Sequence, residues 1–183
     1  MLNMIVLSGA SASGKTEAAK MLMVKYGIMK AITTTTRHMR CNEVNGRDYF
    51  FVSQEEFQQM IKDDRFVEHT LYNGNYYGST KDQIADNRSV VIDLEGLKSY
   101  SALNNDRIVT FYLKTSEDVR FKRMLERGDK EEDAHKRIIN DRIIFADDQI
   151  PKVDYRIDSE NKTIEQVADE IYRLYWKKLK ANQ

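Results

Sequence analysis

Cysteine and proline are almost missing from this chain of 183 residues, which has one of each, Cys41 and Pro151. A lone thiol closes no intrachain disulfide and rules out a cysteine-based zinc site. One proline leaves few hard breaks, so segment limits have to be read from glycines, capping residues and periodicity. Net charge is missing too: 29 Lys+Arg balance 29 Asp+Glu. That balance argues against bulk attraction to nucleic acid or to an anionic membrane, while leaving room for a local positive cluster that takes a small anion. No stretch is long and apolar enough to span a bilayer. The opening Met1-Leu2-Asn3-Met4-Ile5-Val6-Leu7-Ser8 has an apolar run too short for the core of a signal peptide, with no basic residues before it. The expectation is a cytoplasmic protein with neither nucleic-acid nor membrane partners. Repeats, low-complexity linkers and an N-K-x-D base-reading motif are all absent, the last arguing against a regulatory GTPase. His38, His69 and His135 are scattered and read as structural or surface residues.

What is present suits one α/β domain with a modest insertion. Met4 to Leu7 is a short apolar run of the kind buried in a parallel sheet. After a glycine-bearing loop, Ala18, Ala19, Leu22, Met23 and Tyr26 recur at helical spacing, and Gly27 follows as a stop. Val90-Val91-Ile92, ending at Asp93, and Ile108 to Leu113 read as further buried strands, and Tyr155-Arg156-Ile157 as a weaker last one. Helices are expected from about Ser116 to Arg127 and from about Glu131 to Ala146. A final helix, packed through Trp176 and neighbouring tyrosines, opens with a capping box at Thr163-Ile164-Glu165-Gln166. Strands alternating with helices imply a parallel sheet covered on both faces. Between Thr33 and Arg88 the rhythm changes: Tyr49 to Val52, Phe66 to Leu71 and Tyr76-Tyr77 look like short strands. A helix with a Ser53-x-x-Glu56 start lies among them. This stretch reads as an inserted substrate subdomain.

Gly9-Ala10-Ser11-Ala12-Ser13-Gly14-Lys15-Thr16 matches G-x-x-x-x-G-K-[ST], with an apolar strand before it and an amphipathic helix after it. Glycines let such a loop fold into a nest whose N–H groups face phosphate oxygens, at the positive end of the helix that follows. Lys15 would neutralise the β- and γ-phosphates and Thr16 would offer a hydroxyl to Mg²⁺. The motif specifies a nucleoside-triphosphate site without naming the phosphate acceptor.

Further on stand Thr33-Thr34-Thr35-Thr36-Arg37-His38-Met39-Arg40, then Glu43, Gly46, Asp48 and Tyr49, then Phe66-Val67-Glu68 and Gly74-Asn75-Tyr76-Tyr77-Gly78-Ser79-Thr80. In these segments the chain resembles guanylate kinases, whose T-T-R-x-x-R, E-x-x-G-x-D-Y, F-x-E and G-x-Y-Y-G-[ST] patterns occur here in order. The resemblance runs from the phosphate loop to the lid and is densest between Thr33 and Thr80. It implies a P-loop NTPase-type parallel sheet with helices on both faces. Residues 1–32 and 89–183 would form the core, with a helical lid at about 123–142 and a nucleoside-monophosphate-binding subdomain at 33–88. The implied reaction is Mg²⁺-dependent transfer of the ATP γ-phosphoryl group to GMP or dGMP. Arg37 and Arg40, three apart, would converge on the acceptor phosphate, with Tyr49 and Tyr77 adding hydroxyls and Ser79 lying in the same motif. Glu68 would read guanine, because two adjacent carboxylate oxygens match guanine N1–H and N2–H₂ whereas adenine presents an unprotonated N1; Thr33 would donate to O6. Arg123, Arg127 and Arg137 resemble the lid arginines, Asp93 would stand near Mg²⁺, and Glu95 looks like a second acidic residue of the acceptor site.

Some positions depart from the family pattern. Asp93-Leu94-Glu95-Gly96 is shorter than usual, Met39 replaces a common proline, and Ala12 stands where glycine is frequent, a change tolerable where that residue needs no positive φ. Tyr155 to Asn161 replaces an apolar strand ending in Asn-Asp. Two rival readings stand beside the kinase: a catalytically silent interaction module of the same fold, and a related P-loop kinase with a different acceptor.

Overall fold

The computed structural model describes residues 3–41, 43–72 and 74–181. Five strands form one parallel sheet: β1 (Met4–Ser8), β2 (Met29–Lys30), β7 (Arg88–Val91), β8 (Ile108–Lys114) and β9 (Tyr155–Asp158), in the order β2-β7-β1-β8-β9. All five residues of β1 are buried, as a central strand covered on both faces requires. The period of two sorts its side chains. Ile5 and Leu7 enter a core with Ala18 and Leu22 of α1 (Lys15–Tyr26) and Val167, Ile171 and Tyr175 of α6 (Ile164–Ala181). Met4 and Val6 face the other side, with Leu94, Leu97 and Tyr100 of α3 (Leu94–Ala102). Gly27 closes α1 at φ 68°, where its N–H reaches Leu22 and Met23 carbonyls. Tyr26 stacks on Tyr172 at 3.8 Å, pinning α6 to α1, and Trp176 contacts Tyr172 and Tyr175 along α6 itself. Among the described residues no helix is long and apolar enough to cross a membrane.

A second sheet of four short strands carries β3 (Thr34–Thr35), β4 (Phe50–Phe51), β5 (Phe66–Tyr72) and β6 (Asn75–Thr80) in the order β4-β3-β6-β5. It is mostly antiparallel, with β3 and β4 as its one parallel pair. Its helix α2 (Gln54–Lys62) begins with the expected capping box: Ser53 N–H donates to Glu56 at 2.7 Å and Glu56 N–H to Ser53 Oγ at 3.1 Å. Phe57 of α2 is fully buried and stacks on Phe66 at 4.4 Å and on Tyr76 at 5.3 Å. These rings form the small core of the subdomain.

Two helices extend past the C-terminal end of β8: α4 (Glu117–Glu126) and α5 (Glu131–Ile144). They enclose Met124, Ala134 and Ile138. α4 begins where the sequence places it, at the Ser116 cap that receives the Val119 N–H. Helix α3 was not expected at all. Asp93 is its N-cap, accepting the Gly96 N–H at 2.8 Å, so what reads as a short binding loop is a helix start. β2 and β3 are two residues each, below the length at which periodicity speaks.

Replacing Phe57 with Ala empties the ring stack that joins α2 to β5 and β6. The expected cost is about 3–5 kcal/mol, read as a lowered urea midpoint. A loss under about 1 kcal/mol would show that the subdomain does not depend on this stack.

Candidate active site

The loop between β1 and α1 folds as the motif requires. Gly9 has φ 151°, and a Cβ there would come within 2.5 Å of the Leu113 carbonyl oxygen and 2.8 Å of Ser13 Oγ, so no other residue fits without moving β8. Ala12 adopts φ 60°. The condition under which alanine would be tolerated freely at this position, no need for positive φ, is therefore not met. The strain of an L-residue there is on the order of 1 kcal/mol, and its methyl packs against the Met124–Ala134–Ile138 cluster of the lid helices.

Lys15 curls back so that Nζ donates to the carbonyls of Gly9 at 2.6 Å and Ala10 at 2.8 Å. Burial, opposed in part by the Asp141 carboxylate, lowers its pKa from 10.5 to about 8. Lys15, Gly14, Thr16, Arg123 and Arg127 line a pocket of about 460 Å³. Arg123 donates from Nη1 to the Ala12 carbonyl at 3.3 Å and from Nη2 to the Ser159 carbonyl at 2.8 Å. Asp129 holds Arg127 at 2.6 Å and Arg137 at 3.2 Å. Arg123 and Arg127 therefore gather over the phosphate loop, while Arg137 pairs with the same carboxylate as Arg127, through carbonyl and carboxylate partners that the sequence did not flag.

Beside this pocket lies a cleft of about 380 Å³ lined by Thr16, Lys30, Thr33, Tyr49, Val90 and others. Thr16 belongs to both. Arg37 reaches Glu43 at 2.6 Å and lies 5.5 Å from the Tyr49 ring and 5.7 Å from the Phe51 ring. Tyr77 is edge-on to Tyr49 at 6.3 Å. Glu43 also accepts the Arg40 backbone N–H at 2.8 Å, so one carboxylate holds the Arg37 side chain and the Arg40 backbone. These bonds hold the Glu43 carboxyl below its usual range.

Glu68 stands on β5 against the start of α3. Ser79 donates to it from both its hydroxyl and its N–H, the latter at 3.0 Å. A Cβ on Gly96 would lie 3.4 Å from Glu68 Cγ and 3.3 Å from Asp93 Oδ1, which places Asp93 beside Glu68. Burial, together with the Asp93 charge, pushes the Glu68 carboxyl up despite the Ser79 bonds. The adjacent Tyr100 is pushed up to about 12 by burial. The structure does not bring Glu95 to this group: its side chain is 79% exposed and pairs with Lys98 at 2.7 Å. It lies in the first turn of α3, where helical rather than loop geometry sets its direction. Glu43 and Asp129 were missed as holding groups. Glu43 stood within a recognised pattern, but nothing in spacing alone marks either as a partner of arginine.

A family model described as guanylate kinase matches residues 1–178. This chain belongs to the guanylate kinase family. A guanylate kinase of Chlorobaculum tepidum is 33% identical over 135 residues, covering 70% of this chain and 69% of that one. One of Clostridium perfringens is 36% identical over 132 residues, covering 68% of this chain and 61% of the relative. A crystal structure of guanylate kinase from Anaplasma phagocytophilum superposes with a TM-score of 0.64 at 28% identity, covering 97% of this chain and 88% of that chain. Family membership thus rests on the whole chain and not on the phosphate loop alone.

Because protonated Lys15 is the form that attracts phosphate, binding of a non-hydrolysable triphosphate analogue should weaken as pH rises from about 7 to about 9.5, with its midpoint near 8. Titration calorimetry across that range checks it. An affinity that holds constant would show that Lys15 keeps its proton despite burial.

Proposed function

We infer that this chain transfers the γ-phosphoryl group of ATP to GMP, giving ADP and GDP. The observation that carries the reading is the junction at Thr16, which lines both the phosphate-loop pocket and the cleft that leads to Thr33 and Tyr49. Donor and acceptor phosphates placed on the two sides would meet there. Phosphoryl transfer asks a protein mainly for positioning and charge neutralisation. Lys15 and the phosphate-loop amides would hold the donor, Arg123, Arg127 and Arg137 would close on it, and Arg37, Arg40, Tyr49 and Tyr77 would hold the acceptor phosphate. Glu68, kept in place by Ser79, would accept guanine N1–H and N2–H₂. Asp93, next to Glu68 and capping α3, is better placed to face the base than the metal.

Among the described residues no three His, Cys, Asp or Glu side chains gather as a cation cage. Mg²⁺ delivered on ATP needs only one or two protein ligands, and the Thr16 hydroxyl at the start of α1 suits that role. Bound there, the ion would supply charge neutralisation between the β- and γ-phosphates.

The test is ADP release with ATP, Mg²⁺ and each of GMP, dGMP, AMP, CMP and UMP. GMP should be the preferred ribonucleotide acceptor, and Glu68→Gln should lower kcat/KM for GMP by about 10- to 100-fold. Lys15→Ala should abolish turnover with every acceptor. No turnover by folded protein that still binds GMP would favour the silent interaction module.

A pH dependence follows from the same carboxylate. Glu68 accepts from guanine only when ionised, so kcat/KM for GMP should fall on acidification. The fall should centre above the ordinary glutamate range, because burial favours the protonated form. A Glu68→Gln variant that keeps this acid limb would assign it to another group.

A further inference from the structure

Against the phosphate loop, Arg120 of α4 and Asp141 of α5 form an ion pair at 2.9 Å. Their side chains are 5% and 7% exposed. Neither lines the phosphate pocket. Both instead grip one residue of the loop, through the two peptide groups that flank its Cα. Asp141 Oδ2 accepts the Ser11 N–H at 2.7 Å, and Arg120 Nη1 reaches the Ser11 carbonyl at 3.3 Å. The next residue is held by the same helices: the Ala12 methyl enters the Met124–Ala134–Ile138 cluster, and Arg123 donates to the Ala12 carbonyl.

A buried charge pair is a poor way to gain stability, since desolvation of both charges consumes most of their attraction and an apolar pair of like volume often does as well. This pair is not optimised even as a pair, because Arg120 Nε is buried and finds no hydrogen-bond acceptor among the described residues. What an apolar pair would not supply is a donor and an acceptor for the backbone N–H and C=O of Ser11.

We propose that Arg120 and Asp141 are positioning residues for the ATP site: their ion pair ties the backbone of Ser11 in the phosphate loop to both α4 and α5, so that the loop holds its phosphate-binding form only while these helices are docked. The loop residue at the centre of this grip, Ala12, keeps its left-handed backbone because surrounding contacts hold it there. The arrangement makes lid position and ATP affinity two readings of one equilibrium. It rests on the proposed ATP site, and its test separates the two.

The decisive variant is Arg120→Met with Asp141→Leu, which removes both charges together and so avoids leaving one buried and unpaired. Thermal unfolding should show it folded, with a midpoint close to the parent's. Its affinity for the Mg²⁺ complex of adenosine 5′-(β,γ-imido)triphosphate, measured by calorimetry, should fall about tenfold or more, with KM for GMP unchanged. Asp141→Asn serves as the conservative second variant and should show the same split between nucleotides. Parent-like analogue affinity in either folded variant overturns the proposal. Failure of the parent itself to bind the analogue would instead overturn the assignment of the ATP site.

Discussion

The loop that follows β1 has almost no freedom at its first residue. β1 lies at the middle of a parallel sheet, hydrogen-bonded to β7 and β8 and buried on both faces. Its C-terminal end therefore emerges at one fixed point, and there Gly9 passes so close to the Leu113 carbonyl that a single methyl group would collide with it. The loop path, the start of α1 at Lys15 and the pocket over it all follow from that close passage. Parallel strands deliver their loops to one edge of the sheet, so the end of β7 brings Asp93 and α3 to the same edge. That is how Glu68, carried by the inserted sheet, comes to stand against a helix of the core.

Charge balance within the site explains a composition that looks indifferent to anions. Arg37 is matched by Glu43, Arg127 and Arg137 by Asp129, Arg120 by Asp141, and Lys15 and Arg123 by backbone carbonyls. Each cation is held in a defined rotamer at modest electrostatic cost, because exchanging one oxygen partner for another is cheaper than capturing a freely moving side chain. An arginine already fixed gives up less side-chain entropy when a phosphate arrives.

The sequence made the fold visible wherever a residue type has one physical use. The phosphate-loop glycines, the Gly27 stop and the capping boxes at Ser53 and Thr163 all sit as their chemistry demands. Helix α3 was hidden because Asp93 and Gly96 read equally well as loop residues, although Leu94, Leu97 and Tyr100 recur at helical spacing and are buried. Glu95 was drawn into the acceptor site for the same reason, and the helix turns it outward to Lys98. For Ala12 the sequence left the backbone conformation open, and its φ of 60° is held by contacts from helices more than 100 residues further along the chain. Arg120 and Asp141 lay in plain view within charged helices, and only folding shows that both are buried. Pairings across such separations leave no periodic trace.

Trp176 is the sole tryptophan. It lies on α6 among Tyr172 and Tyr175, on the face of the sheet shared with α1. Its neighbours belong to the core, and it lines neither the phosphate pocket nor the cleft beside it. As an optical reporter it therefore watches the docking of α6 on the sheet. Its emission would follow global unfolding faithfully while staying nearly silent to closure of the lid or the subdomain, so movements at the site need a probe placed there.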